Sequence, residues 1–261
     1  MAVTPVTAAV SSAPNPAPGR PKADSEPLGG QGAALGAVLF DLDGTLIDSM
    51  PLHQRSWQRW HAELGLAFDE AGFFEATAGR TNLEILVDLF PAKSRAELDA
   101  LAWRKEVLYR ELAITSLQLI PGAAAVCHAA RAQGLKLAVC TASPPENITV
   151  AFERFGMAGW VDAVTSPADG LRGKPHPDIF LAAAERLGVP PAACLVFEDA
   201  PLGIEAARRA GMAAVALTTT LPAEAFAGHP NLVSTMADFT GYALPETLPE
   251  WLPESLSGLP T

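Results

Sequence analysis

Short, largely apolar runs recur along this chain: Ala37–Phe40, Leu135–Cys140, Ala163–Thr165, Cys194–Phe197 and Ala213–Leu217, broken by Lys136 and Thr165 alone. None is long enough for a helix, and none alternates with polar residues, which is the pattern of strands buried on both faces. Between the later runs lie segments with apolar residues at spacings of three and four: Ala123–Gln133, Glu146–Phe155, Pro177–Leu187 and Leu202–Ala210. Glycines at 134, 156, 188 and 211 follow these helical segments, where a left-handed residue closes a helix. Strands alternating with helices predict an α/β fold, a doubly wound parallel sheet.

One interval breaks the alternation. From 49 to 119 every convincing segment is helical. Ser49–Leu64 has Ser49 as a cap, Pro51 in its first turn, Gly65 as its stop, and Trp57, Trp60 and Leu64 as its core positions. Asp69–Ala76 and Asn82–Phe90 read as shorter helices. Ser94–Ala113 opens with a Ser94/Glu97 capping box and carries an apolar stripe of Leu98, Leu101, Leu108 and Leu112 that includes Lys105. A helical block between strand-bearing regions predicts an inserted all-helical cap. The expected organisation is a disordered Ala/Pro-rich segment at 1–33, an α/β core at 34–48 and 120–242, the cap at 49–119, and a Pro-rich tail at 243–261 lying loosely on the surface.

In a doubly wound sheet the site lies beyond the carboxyl ends of the strands. The first run ends in Asp41-Leu42-Asp43-Gly44. If the extended backbone continues, both carboxylates project from one face and raise each other's pKa. An acidic turn and a reactive pair are both open readings of these residues alone. The other strand ends tip the balance. Leu135–Cys140 runs into Thr141-Ala142-Ser143, either a helix cap or a phosphate cradle of hydroxyl and backbone N–H groups. Lys174 is fixed before Pro175 in a loop between strand-bearing segments, and Cys194–Phe197 ends in Glu198-Asp199. His53 reads as a half-exposed helix residue or as a substrate contact. Together, two acidic pairs with a hydroxyl and a lysine opposite form an oxygen-lined site suited to Mg²⁺ and to phosphoryl transfer involving a carboxylate.

Charge narrows the partners. A formal net charge of −11 over 261 residues argues against nucleic acid and anionic membranes, while leaving a small phosphorylated metabolite acceptable beside a bound cation. Cys127, Cys140 and Cys194 have no metal-ligand spacing and read as buried reduced thiols, which suits the cytoplasm. No membrane span or secretory signal is expected, and a monomer is the default.

The four strand-end motifs, Asp41-Leu42-Asp43-Gly44-Thr45, Thr141, Lys174-Pro175 and Glu198-Asp199, resemble in order and spacing those of the haloacid dehalogenase superfamily, over about Ala37 to Leu217. The helical insertion is similar to that of the subfamily holding beta-phosphoglucomutase and sugar-phosphate phosphatases. The resemblance implies a Rossmann-like core, Asp41 as nucleophile forming an aspartyl-phosphate, and Asp43 as general acid/base. It also implies Thr141, Ala142 and Lys174 as phosphate-binding residues, and Mg²⁺ held by Asp41, Asp43 and Asp199 with Glu198 in support. His53, Arg80, Asn82, Lys105 and Ser143 are the implied substrate contacts. Two departures separate the chain from the mutase pattern: Asn82 stands where the mutase has a phosphate-holding arginine, and Pro144-Pro145 replace a lysine and an asparagine. The expected function is therefore an Mg²⁺-dependent phosphatase of a sugar or polyol phosphate. A hexose-phosphate mutase is the alternative, and a non-catalytic metabolite-binding protein a more remote one.

Overall fold

The computed structural model describes residues 33–70, 72–73 and 81–249. The expected disorder of the N-terminal segment, the second half of the Asp69–Ala76 helix, Arg80 and the stretch around Trp251 lie outside them. Strands β1 (Ala37–Phe40), β2 (Lys136–Cys140), β3 (Ala163–Thr165), β4 (Cys194–Glu198), β5 (Ala213–Leu217) and β6 (Leu232–Met236) form one sheet in the order β3-β2-β1-β4-β5-β6. Every pairing is parallel. Since β1, β4 and β5 are buried along their whole length, alternate residues feed two apolar layers. Val38, Phe40, Leu195 and Phe197 face one layer, and Leu39, Val196, Ala214 and Ala216 the other. Helices α4 (Ala123–Ala132) and α5 (Pro145–Phe155) cover the first face, and α6 (Asp178–Leu187) and α7 (Pro201–Arg209) the second.

The helical interval comprises α1 (Met50–Glu63), α2 (Asn82–Leu89) and α3 (Arg95–Ser116), with its own apolar cluster of Trp57, Trp60, Ile85, Leu86, Leu98 and Leu108. Its two ends run side by side: Ile47 and Leu119 form an antiparallel bridge, and the Asp48 N–H donates to the Gln118 carbonyl at 2.9 Å. Helix α3 serves both regions, because Tyr109 and Ala113 from its last turns, and Leu117 just after it, belong to the sheet's first apolar layer.

Four local readings differ from expectation. Ser49 precedes α1 but makes no capping bond. Leu64 is exposed, since α1 ends at Glu63 and turns it outward. Strand β6 carries no apolar run; it is an edge strand with an exposed centre, held by β5 alone. The start of the supposed loose tail is anchored: Ala34 bridges Thr247 antiparallel, the Leu35 N–H donates to the Glu246 carbonyl at 3.0 Å, and Leu248 is buried in the first layer. Apolar Leu244 and Leu248 pack where a proline-rich composition alone reads as solvated coil. Cys127, Cys140 and Cys194 are buried free thiols, as anticipated.

Candidate active site

The sheet places the motifs at its carboxyl edge. Asp41 follows β1 directly, and its N–H still donates to the Phe197 carbonyl at 3.0 Å. The extended backbone then stops at a bend, and residues 43–47 fold into a compact turn in which the Gly44 N–H donates to the Ile47 carbonyl at 2.8 Å. The extended backbone on which the expectation of a shared face rests therefore ends here, and the two acids have separate partners. Gly44 has φ +80°, and a Cβ there would lie 2.1 Å from Asp199 Oδ2. Only glycine lets this turn pack against the acid at the end of β4. Gly203 does the same for Glu198, whose carboxyl carbon would be 1.9 Å from an added Cβ.

Lys174 Nζ donates to Asp41 Oδ1 and lies 2.5 Å from Glu198 Oε1. Both Asp199 oxygens accept from hydroxyls: Oδ2 from Thr220 Oγ1, and Oδ1 from Thr45 Oγ1 at 3.4 Å. Glu198 Oε2 accepts from the Asp199 and Ala200 N–H groups at 3.1 and 3.2 Å. Burial pushes the Asp41 carboxyl up, with Lys174 opposing and Glu198 and Asp199 adding to the rise. Asp199 is pushed up to about 7 by burial and by Glu198. Burial works against the Lys174 ammonium, but Asp41 and Glu198 outweigh it and raise its pKa.

Asp43 differs from the mutual repulsion expected of the pair. Burial would raise it, yet His53, Ser143 and Ser49 together bring it down to about 2. Ser143 Oγ donates to Asp43 Oδ2, and His53 Nε2 lies 3.5 Å from Oδ1. Thr141 Oγ1 accepts from the Ser143 N–H at 3.0 Å, so the β2 loop is folded around its own hydroxyl, with Ala142 exposed between.

The helical interval reaches this edge through His53, which stacks on Tyr109 with centroids 4.0 Å apart. Its Nδ1 lies 2.6 Å from Lys105 Nζ. Lys105 is buried and also 2.8 Å from Glu106 Oε1. Asn82 Nδ2 donates to the same oxygen at 2.5 Å, and Asn147 Nδ2 from α5 donates to Oε2 at 2.5 Å. The structure thus gathers His53, Asn82, Lys105 and Ser143 with Asp43, while Arg80 lies outside the described residues.

Motif reading misses Glu106, Asn147, Tyr109, Thr219 and Thr220. The threonines were findable, because Thr218-Thr219-Thr220 follow β5 at the same sheet edge as the motifs. Thr219 Oγ1 donates to the Gly44 carbonyl at 2.5 Å, tying that strand end to the first motif. Glu106 and Asn147 become visible only when α3 and α5 meet.

Among the described residues no three carboxylate, histidine or cysteine groups already converge as a metal cage. The donor set nevertheless suits a hard divalent cation. Asp41, Glu198 and Asp199 are buried oxygen donors faced by one lysine, and Asp41 and Asp199 are raised by burial and by the neighbouring carboxylates.

Residues 35–211 match the family model described as "Hydrolase: haloacid dehalogenase-like hydrolase". The chain is 33% identical over 201 residues to validoxylamine A 7'-phosphate phosphatase of Streptomyces hygroscopicus subsp. limoneus, covering 77% of this chain and 94% of that protein. It is 31% identical over 186 residues to beta-phosphoglucomutase of Bacillus subtilis, covering 69% and 81%. Among solved structures, a family IA, variant 3 hydrolase from Entamoeba histolytica superposes with TM-score 0.75 at 27% identity, covering 82% of this chain and 97% of that one.

Proposed function

We propose, for a chain that belongs to the haloacid dehalogenase-like hydrolases, that it is an Mg²⁺-dependent phosphatase of a sugar or polyol phosphate, working in the cytoplasm through an aspartyl-phosphate. The observation that carries this reading is the division between the two acids of the first motif. Asp41 sits against Lys174, while Asp43 is held by Ser143 and His53. That division supports a reading in which Asp41 attacks and Asp43 moves a proton.

Asp41 Oδ attacks phosphorus, with Lys174 and Thr141 offsetting charge on the equatorial oxygens. Asp43 gives its proton to the departing alkoxide oxygen, then takes one from the water that attacks the acyl phosphate. The carboxylate form, which the Ser143 and His53 contacts favour, is the one that activates water. Protonating the leaving group requires substrate to displace those contacts. Asp41, the Asp43 segment, Glu198 and Asp199 would hold Mg²⁺, which when bound supplies charge neutralisation for the phosphoryl oxygens. Residues 49–119 act as the cap, covering the site and reading the leaving group through Lys105 and its neighbours.

Pro144 and Pro145 favour hydrolysis over mutation. They form the N-cap and first residue of α5 and contribute no N–H or side-chain donor where a second phosphate would need to be gripped. The test is phosphate release across a panel of sugar and polyol phosphates with Mg²⁺, run beside glucose 1-phosphate primed with glucose 1,6-bisphosphate. Release of inorganic phosphate is expected. Conversion to glucose 6-phosphate without release would establish the mutase instead.

A further inference from the structure

Three elements around the site converge on the Glu106 carboxylate. Lys105 of α3 and Asn82 of α2 contact its Oε1, and Asn147 of α5 donates to its Oε2. Its side chain is 12% exposed, against 2% for Lys105. Asn147 in turn accepts at Oδ1 from Arg110 Nη1 at 3.0 Å. A lysine this deep beside a phosphate-handling site is the natural anchor for a second phosphate on the substrate. Here its charge is already matched by the adjacent glutamate. His53 bridges the two regions, with Nδ1 2.6 Å from Lys105 Nζ and Nε2 3.5 Å from Asp43 Oδ1. At this corner the Lys105 ammonium is paired with Glu106 at 2.8 Å, and the other groups on that carboxylate are the Asn82 and Asn147 amides.

Accepting the phosphatase reading above, we infer that Glu106 is a specificity-determining residue that restricts the enzyme to monophosphates with an uncharged hydroxylated leaving group and rejects bisphosphates. A second phosphate entering this corner would meet the Glu106 carboxylate, and the lysine beside it is already paired with that carboxylate. A neutral polyol brings no charge for that carboxylate to oppose. Rejection by a fixed like charge is the repulsive half of selectivity. Burial would raise the Glu106 carboxyl, but Lys105 and His53 bring it down to about 2, so the charge persists across the working pH range.

The experiment compares kcat/KM for glucose 6-phosphate and glucose 1,6-bisphosphate in the wild type and in Glu106→Gln. The expected result is a wild-type preference for the monophosphate of about tenfold or more. In Glu106→Gln that preference narrows by roughly tenfold, through a lower KM for the bisphosphate. An unchanged ratio, or equal losses on both substrates, would show a merely structural role and overturn the inference. Should Glu106→Gln not fold, inhibition of the wild type decides. Glucose 1,6-bisphosphate binding as tightly as glucose 6-phosphate contradicts the assignment, and weaker binding supports it. Absence of turnover on any phosphoester would count against the phosphatase reading, and thermal-shift binding of the same two compounds to the wild type and to Glu106→Gln would still decide the role of Glu106.

Discussion

The acids at the strand ends and the acid of the helical insert are stabilised in opposite ways. At the sheet edge Asp41, Glu198 and Asp199 share one lysine, and burial leaves Asp41 and Asp199 raised, the latter to about 7. In the insert Glu106 faces its own lysine and two amides and is brought down to about 2, despite burial. The first region holds unbalanced negative charge, which suits a divalent cation and a phosphoryl group. The second is balanced, which suits a neutral leaving group. Asp43 stands at the junction. It follows β1 in sequence, but its partners are Ser143 of the β2 loop and His53 of the insert. On the proposed reading, the contrast assigns the reaction to one region and the selection to the other.

The largest effects should come from removing the unbalanced charges. Asp41→Asn should lower kcat by about a thousandfold or more while leaving the melting temperature close to wild type or above it, because it removes a buried, underpaired charge. Steady-state kinetics with a thermal melt would check both halves. Next, Asp199→Asn should raise the Mg²⁺ concentration for half-maximal activity by roughly tenfold or more, and chelation should abolish wild-type turnover until Mg²⁺ is restored. An Mg²⁺ titration that does not move would break the assignment of charge to the sheet edge.

Smaller effects should sharpen the insert's side. Lys105→Ala should lower kcat/KM on the best sugar phosphate more than on a small artificial aryl phosphate, by about tenfold in the ratio. Equal losses on both would place Lys105 in the reaction instead of the selection. Least in size is a pH effect. The Glu106 carboxyl is lowered in the folded protein from the ordinary 4.5 to about 2. Its contribution to stability is therefore present above pH ~4.5 and lost as pH falls toward the folded value. Denaturant unfolding between these limits should show a shallower loss of stability in Glu106→Gln than in the wild type.

Much of this was legible in the chain because it is local. An apolar run that ends in Asp, Thr or Glu-Asp announces a buried strand and its chemistry together, and β1, β2 and β4 each do so. Strand β6 was not legible, because Leu232–Met236 has an exposed centre and lies at the edge. The anchored stretch near Leu248 and the partners of Glu106 were equally hidden. Both depend on which distant element arrives beside them, as Asn147 does across 41 residues of chain. The Ser49 cap failed for a related reason: the buried hydroxyl faces Asp43 and not the first turn of α1.

The measurement that tests the central claim most directly is chemical trapping of the intermediate. Rapid mixing of the Mg²⁺-loaded protein with a good phosphomonoester substrate, quenching with borohydride and peptide mass spectrometry should find homoserine at position 41, the reduction product of an aspartyl-phosphate. Homoserine at another acid, no trapped product during turnover, or an Asp41→Asn variant that still turns over would contradict the account.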